Sequence, residues 1–152
     1  MKRNQKRLGN KGFSLVELIV VIAIMAVLVG VLAPTLIGNI EKSRESKDVQ
    51  NLSEMQRGIV TALADEKANA AIPSTGTYKI TEDGLEVVSA TGANVTEFNS
   101  VYNNIVKYKA MTCKAIKDQP INVSINNGVV RVWVDVKSGE TIKSSELKFD
   151  VE

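Results

Sequence analysis

Histidine, the commonest general base and a frequent metal ligand, is absent from this 152-residue chain. Its absence rules out imidazole-dependent triads and His-based zinc sites. The single cysteine, Cys113, can form neither an intrachain disulfide nor a cysteine cluster. The expected role of that thiol is a small buried hydrophobe. No carboxylate pair, nucleophile–base pair or phosphate-binding glycine loop is visible, so the sequence does not read as an enzyme and implies no catalytic residue, metal or cofactor.

Three weaker constellations remain. Glu82-Asp83 and the Asp135 to Glu140 turn are acidic, but neither has the oxygen-ligand spacing of a calcium loop. Lys107, Lys109, Lys114 and Lys117 lie near Tyr102 and Tyr108. Basic residues with aromatics can grip nucleic acid, but four charges on a near-neutral domain fit a solvated face better. Trp133 falls on the strand face opposite the valines, beside Arg131 and Asp135, as an interface residue or as a shield over a second small cluster.

The most telling ionisable residue is Glu17, because of where it stands. Residues 1–12 carry five positive charges and no acid, and between Glu17 and Glu41 there is no charge at all. Of the 28 residues from Phe13 to Ile40, 21 are apolar. The 23 uncharged residues 18–40 would span roughly 34 Å as a helix, against about 30 Å for a bilayer core. The positive-inside rule places residues 1–12 in the cytoplasm and the chain after Ile40 outside. The apolar stretch is too long for a cleaved secretory signal peptide. A plain signal anchor fits the length but has no use for Glu17, since an ionised carboxylate inside an apolar segment is costly and is usually functional where it is kept.

In its surroundings Glu17 is part of Lys11-Gly12-Phe13-Ser14-Leu15-Val16-Glu17-Leu18. This run resembles the class III signal of type IV pilins and pseudopilins: a basic leader ending in Gly, then Phe, then Thr or Ser-Leu-x-Glu and a long apolar helix. The likeness extends from Lys11 to Asn39 and includes Pro34. It implies that a prepilin peptidase cuts between Gly12 and Phe13 on the cytoplasmic side and methylates the new amine of Phe13. Glu17, about one turn on, would pair with that amine in its own or a neighbouring subunit and favour one axial register in a filament. Gly30 and Pro34 weaken the helix, and the resemblance adds that this region can lose helical order in a fibre. Many pilins of Gram-negative bacteria close the C-terminal region with a disulfide; this chain cannot, which hints at a Gram-positive source.

The rest of the chain reads as an α+β domain. Val49, Leu52, Met55, Ile59 and Leu63 recur at helical spacing, predicting one unbroken helix from the apolar segment to about Ala70. Short strands are expected at 77–80 and 85–89 around Glu82-Asp83-Gly84, and a helix over 96–109 with Asn94 or Thr96 as N-cap. Ile121, Val123 and Ile125 alternate, Asn126-Asn127-Gly128 signals a hairpin, and Val130, Val132, Val134 and Val136 alternate again. Leu147, Phe149 and Val151 predict a further strand. One face of this antiparallel sheet is expected to pack on the amphipathic half of the long helix, which is the pilin architecture.

The domain organisation expected is a leader over 1–12, a transmembrane or filament-core helix over 13–40 and an extracellular globular domain over 41–152. The functional expectation is a structural pilus subunit, held in the membrane as a prepilin and then polymerised into a surface fibre for adhesion, motility or biofilm formation. Its implied partners are other copies of itself, the prepilin peptidase, and an assembly platform with its ATPase. A pseudopilin of a type II secretion or DNA-uptake system, and a signal-anchored binding module, are the rival readings. Loss of the leader changes the formal charge from +2, with 19 positives and 17 acids, to −3, with 14 positives and 17 acids.

Overall fold

A computed structural model describes residues 13–140 and 149–151. Gly12 and the leader, and Leu147 of the expected last strand, lie outside the described residues. The chain divides into two compact units, 1–37 and 38–152.

Helix α1, Leu15–Leu63, runs without interruption through Gly30 and Pro34. The sequence left room for a locally unwound stretch there, and the isolated chain has none. Among the described residues nothing lies within 4 Å of where a Cβ at Gly30 would be.

The predicted continuation of α1 to about Ala70 is corrected. The helix tightens at its end into Ala64 N–H to Thr61 and Asp65 N–H to Ala62 bonds, and stops. Asp65 is extended and accepts from the Lys67 and Ala68 amides at 3.0 and 3.1 Å, so it N-caps a separate helix α2, Glu66–Ala71. Apolar spacing runs on across the break, and for that reason periodicity alone missed it.

The sheet is five-stranded and antiparallel, built from β1 (Thr75–Thr81), β2 (Gly84–Ser89), β3 (Ile121–Asn126), β4 (Val129–Val134) and β5 (Asp150–Val151) in the order β2-β1-β3-β4-β5. Both predicted hairpins form. Asn127 and Gly128 take φ of 48° and 86°, the doubly positive turn that two-residue hairpins favour. Strand β4 ends at Val134, so Val136 lies beyond the strand and is partly exposed.

Between β2 and β3 lies α3, Val95–Ile105, N-capped by Asn94. It ends four residues short of the predicted Lys109, and residues 106–120 follow without helix or strand apart from a short turn. Asn99 on α3 brackets the open edge of β2, accepting from the Leu85 N–H at 2.8 Å and donating to the Leu85 carbonyl at 3.0 Å. This occupies backbone groups that an edge strand would otherwise expose.

The core joins Leu52, Met55, Ile59 and Ala62 of α1 to Tyr78, Ile80, Val123, Ile125, Val130 and Val132 of the sheet, with Phe98 and Tyr102 of α3. Gln56 of α1 also donates to the Val130 carbonyl at 3.1 Å. At Gly58 an added Cβ would lie 2.4 Å from Val106 Cγ2, so only glycine allows this approach.

Candidate functional site

The apolar part of α1 is uncovered. From Phe13 to Ile40, 18 large apolar side chains are each at least 41% exposed. Fully burying such side chains is worth about 1.5–3 kcal/mol each, so on the order of 25 kcal/mol or more awaits lipid or other chains. Among the described residues α1 is the one helix long and apolar enough to cross a membrane.

Its first turn holds a detail that sequence reading missed. Ser14 precedes the first helical residue, and its carbonyl accepts the first helical bond from Leu18 N–H at 3.2 Å. Glu17, three residues on, reaches back to accept from the Ser14 amide at 2.9 Å. Ser-x-x-Glu is thus half of a capping box, legible in the sequence as Ser14-Leu15-Val16-Glu17. Glu17 already satisfies a backbone donor within its own chain, and its negative charge sits at the positive end of the helix dipole. Phe13 stands exposed just before this turn. The structure joins Ser14 to Glu17, shows no contact between Glu17 and the exposed Phe13 among the described residues, and leaves Gly30 and Pro34 in uninterrupted helix.

A second feature lies in the globular unit. Positions 41, 45, 48, 52, 55, 59 and 62 form one stripe along α1 at alternating spacings of four and three. The last four, Leu52, Met55, Ile59 and Ala62, are core. The first three are the acids Glu41, Glu45 and Asp48, and both Glu45 and Asp48 are fully buried. Asp48 accepts from the Thr112 and Cys113 amides at 2.7 and 2.6 Å and from the Thr112 hydroxyl at 3.0 Å. Glu41 accepts from the Lys114 amide and, at 3.3 Å, from Arg44.

These carboxylates therefore stand in for a strand or helix partner, satisfying the backbone of the irregular 112–114 segment. Partial burial alone would push the Glu41 carboxyl up, but the Lys114 amide, the Cys113 thiol and Arg44 hold it below its ordinary value. Cys113 is fully buried as expected. Burial, together with the negative charges of Glu41 and Glu45, pushes its thiol up to about 11. The sequence signal for this arrangement was the spacing of the acids, in phase with the core.

The weaker constellations resolve into internal contacts. Lys109 pairs with Glu54, and Lys114 with Glu140 at 3.0 Å, so two of the four basic residues are already matched. Trp133 is half-buried on the outer sheet face, with the Arg131 guanidinium 5.8 Å from the ring centroid. Arg131 is in turn forked onto Asp150, with Nε 2.8 Å from one carboxylate oxygen. Among the described residues no cluster of three potential metal ligands occurs.

Comparison with known proteins adds to this geometry. Residues 7–33 match the prokaryotic N-terminal methylation motif. The chain is also 28% identical over 132 residues to the prepilin peptidase-dependent protein A of Clostridium perfringens (strain 13 / Type A), a similarity that covers 84% of this chain and 83% of the relative. No solved structure matches. From Leu15 on the motif falls on the capped, uncovered helix, the similarity runs on through the sheet-bearing unit, and the α+β build agrees with both; together they support a type IV pilin-like protein.

Proposed function

We propose that the chain is a prepilin, cut between Gly12 and Phe13 by a prepilin peptidase, methylated on the Phe13 amine, and polymerised through residues 13–40 into a fibre on the cell surface. It is a structural subunit and not an enzyme. The observation that carries this reading is the uncovered apolar length of α1 directly behind the methylation motif. Such a surface needs lipid before assembly and other copies of the same helix afterwards. In the precursor residues 1–12 are cytoplasmic and the unit after Ile40 is outside, as the five leader charges favour. Glu17, freed from Ser14 or shared with it, meets the cationic amine of Phe13 in its own or the next subunit and sets the register. Gly30 and Pro34 give the packed helix a place to unwind. The assembly platform and its ATPase extract the subunit from the membrane, and the fibre serves adhesion, motility or biofilm formation.

Mass spectrometry of the membrane-extracted protein tests the processing step. A mature N-terminus at methylated Phe13 is expected, and a chain still beginning at Met1 in cells with an active peptidase would refute it. Electron microscopy of the same cells tests the fibre. Surface filaments containing this chain are expected; their absence, with secretion or DNA uptake lost on deletion, would instead favour the pseudopilin role.

A further inference from the structure

The segment Glu41-Lys42-Ser43-Arg44-Glu45-Ser46-Lys47-Asp48 holds three acids and three bases and is neutral by count. The fold separates the two signs. Glu45 and Asp48 are fully buried and Glu41 keeps only 16% of its side-chain exposure. Lys42, Arg44 and Lys47 are all exposed. At about 100° per residue the three acids share an arc of about 60°, and the three bases lie outside it. Arg44 reaches Glu41 at 3.3 Å, while Lys42 and Lys47 make no ion pair among the described residues. A stretch that is neutral in sequence is therefore cationic toward its surroundings.

These bases follow directly on the uncharged residues 18–40. At about 1.5 Å per residue, Lys42, Arg44 and Lys47 stand about 3, 6 and 10 Å of helix past Ile40. The polar layer on each side of a bilayer core is roughly 5–7 Å deep, and Lys and Arg stems bridge several ångströms to place their charge among headgroups. Depth and sign both match lipid phosphates.

The geometry points to an anionic-headgroup site: Lys42, Arg44 and Lys47, on the outward side of α1, bind the phosphates of anionic phospholipids in the leaflet where the C-terminal end of the span lies. This rests on the membrane-held precursor proposed above. The same segment of a second copy is a poor alternative occupant, because the acids that would complement these bases are buried under residues 112–114 of their own chain. The bound headgroups fix the depth of the precursor until it leaves the membrane for the fibre.

The test uses the full-length chain and the triple variant Lys42→Gln, Arg44→Gln, Lys47→Gln, each in vesicles of two parts phosphatidylcholine to one part phosphatidylglycerol. Spin-labelled analogues of the two lipids report their relative affinity for the protein by electron paramagnetic resonance. Wild type is expected to prefer phosphatidylglycerol about threefold or more, and the triple variant to show at most half that preference. The leader charges are common to both chains and cancel in the comparison. A control with Lys67→Gln and Lys117→Gln, two exposed lysines far along the sequence from the span, should match wild type. Equal preference in wild type and triple variant, with circular dichroism unchanged, overturns the inference. So does a triple variant that keeps its lipid preference but no longer forms fibres, which would assign the surface to a second copy. A wild-type chain that fails to float with vesicles of any composition refutes the membrane-held precursor itself, a separate and recognisable result.

Discussion

Replacing Asp48 should separate the role of its shape from that of its charge. The side chain is fully buried and accepts three hydrogen bonds, two of them on one oxygen from the Thr112 and Cys113 amides and one on the other from the Thr112 hydroxyl. Asp48→Ala removes all three. The Cys113 amide is then left buried without a partner, at about 2 kcal/mol, and the less buried Thr112 groups add about 1 kcal/mol. Asp48→Asn can keep the geometry, because its oxygen can face the two amides while its NH2 donates to the Thr112 hydroxyl. Only the charge assistance is then lost, about 1 kcal/mol. For a unit of this size 1 kcal/mol moves the midpoint by about 4 °C, so Ala should lower Tm by about 12 °C and Asn by about 4 °C. Near-ultraviolet circular dichroism in detergent micelles, which follows the buried Tyr78 and Tyr102 and is blind to the micelle-embedded helix, gives the midpoints. An alanine shift below about 4 °C, or equal shifts for the two variants, would show that the carboxylate does not hold the 112–114 backbone.

Four further outcomes are expected. Glu17→Gln keeps a capping-box acceptor but no charge, whereas Glu17→Ala loses both; if the charge sets the filament register, both variants are methylated at Phe13 yet form few fibres by electron microscopy, and normal fibre yield with Gln would reduce Glu17 to a helix cap. Gly58→Ala, ordinarily favourable inside a helix, should destabilise by about 1–3 kcal/mol in denaturant titrations because its Cβ would overlap Val106. The Cys113 thiol titrates at about 11 when folded against an ordinary 9.0, so the folded state holds its proton more tightly and stability falls as pH rises from 9.0 toward 11; Cys113→Ala should show a smaller drop in Tm between pH 8.5 and 10.5, and an identical drop would be the contrary result. In isolated fibres, amide hydrogen exchange should be faster between Gly30 and Ile40 than between Glu45 and Ile59, and uniform protection along α1 would contradict this.

Much of this molecule could be read from local chemistry. The apolar segment, the Asn127-Gly128 hairpin and the Asn94 cap each depend on residues within a few positions of one another. The capping box is equally local, set by the three-residue spacing of Ser14 and Glu17, but the charge of Glu17 in an apolar segment masks that simpler role. The end of α1 was harder to see. Asp65 is a good cap residue, but Ala64, Ala68 and Ala71 carry the apolar period across the break, and periodicity does not register a backbone that turns over two residues. The position of residues 106–120 could not be read locally at all. Their amides bond to carboxylates 64 to 73 residues away in sequence, and only the phase of three acids with a later apolar stripe hints at it.

That stripe bears on how the helix can behave in a fibre. Among the described residues, unwinding α1 near Gly30 and Pro34 breaks only helical bonds, since a Cβ at Gly30 would meet nothing within 4 Å and Pro34 has no N–H to donate. Unwinding it at Glu45 or Asp48 would, in addition, withdraw the acceptors on which Thr112 and Cys113 depend, and would pull Leu52 and Met55 out of register with the sheet. The second event costs several kcal/mol more than the first, because buried donors lose their partners and core surface is exposed together. The acids of the stripe therefore set a limit on helix melting: order can be lost in the apolar segment, where packing in the fibre decides it, while residues from Glu45 onward stay helical for as long as the globular unit is folded.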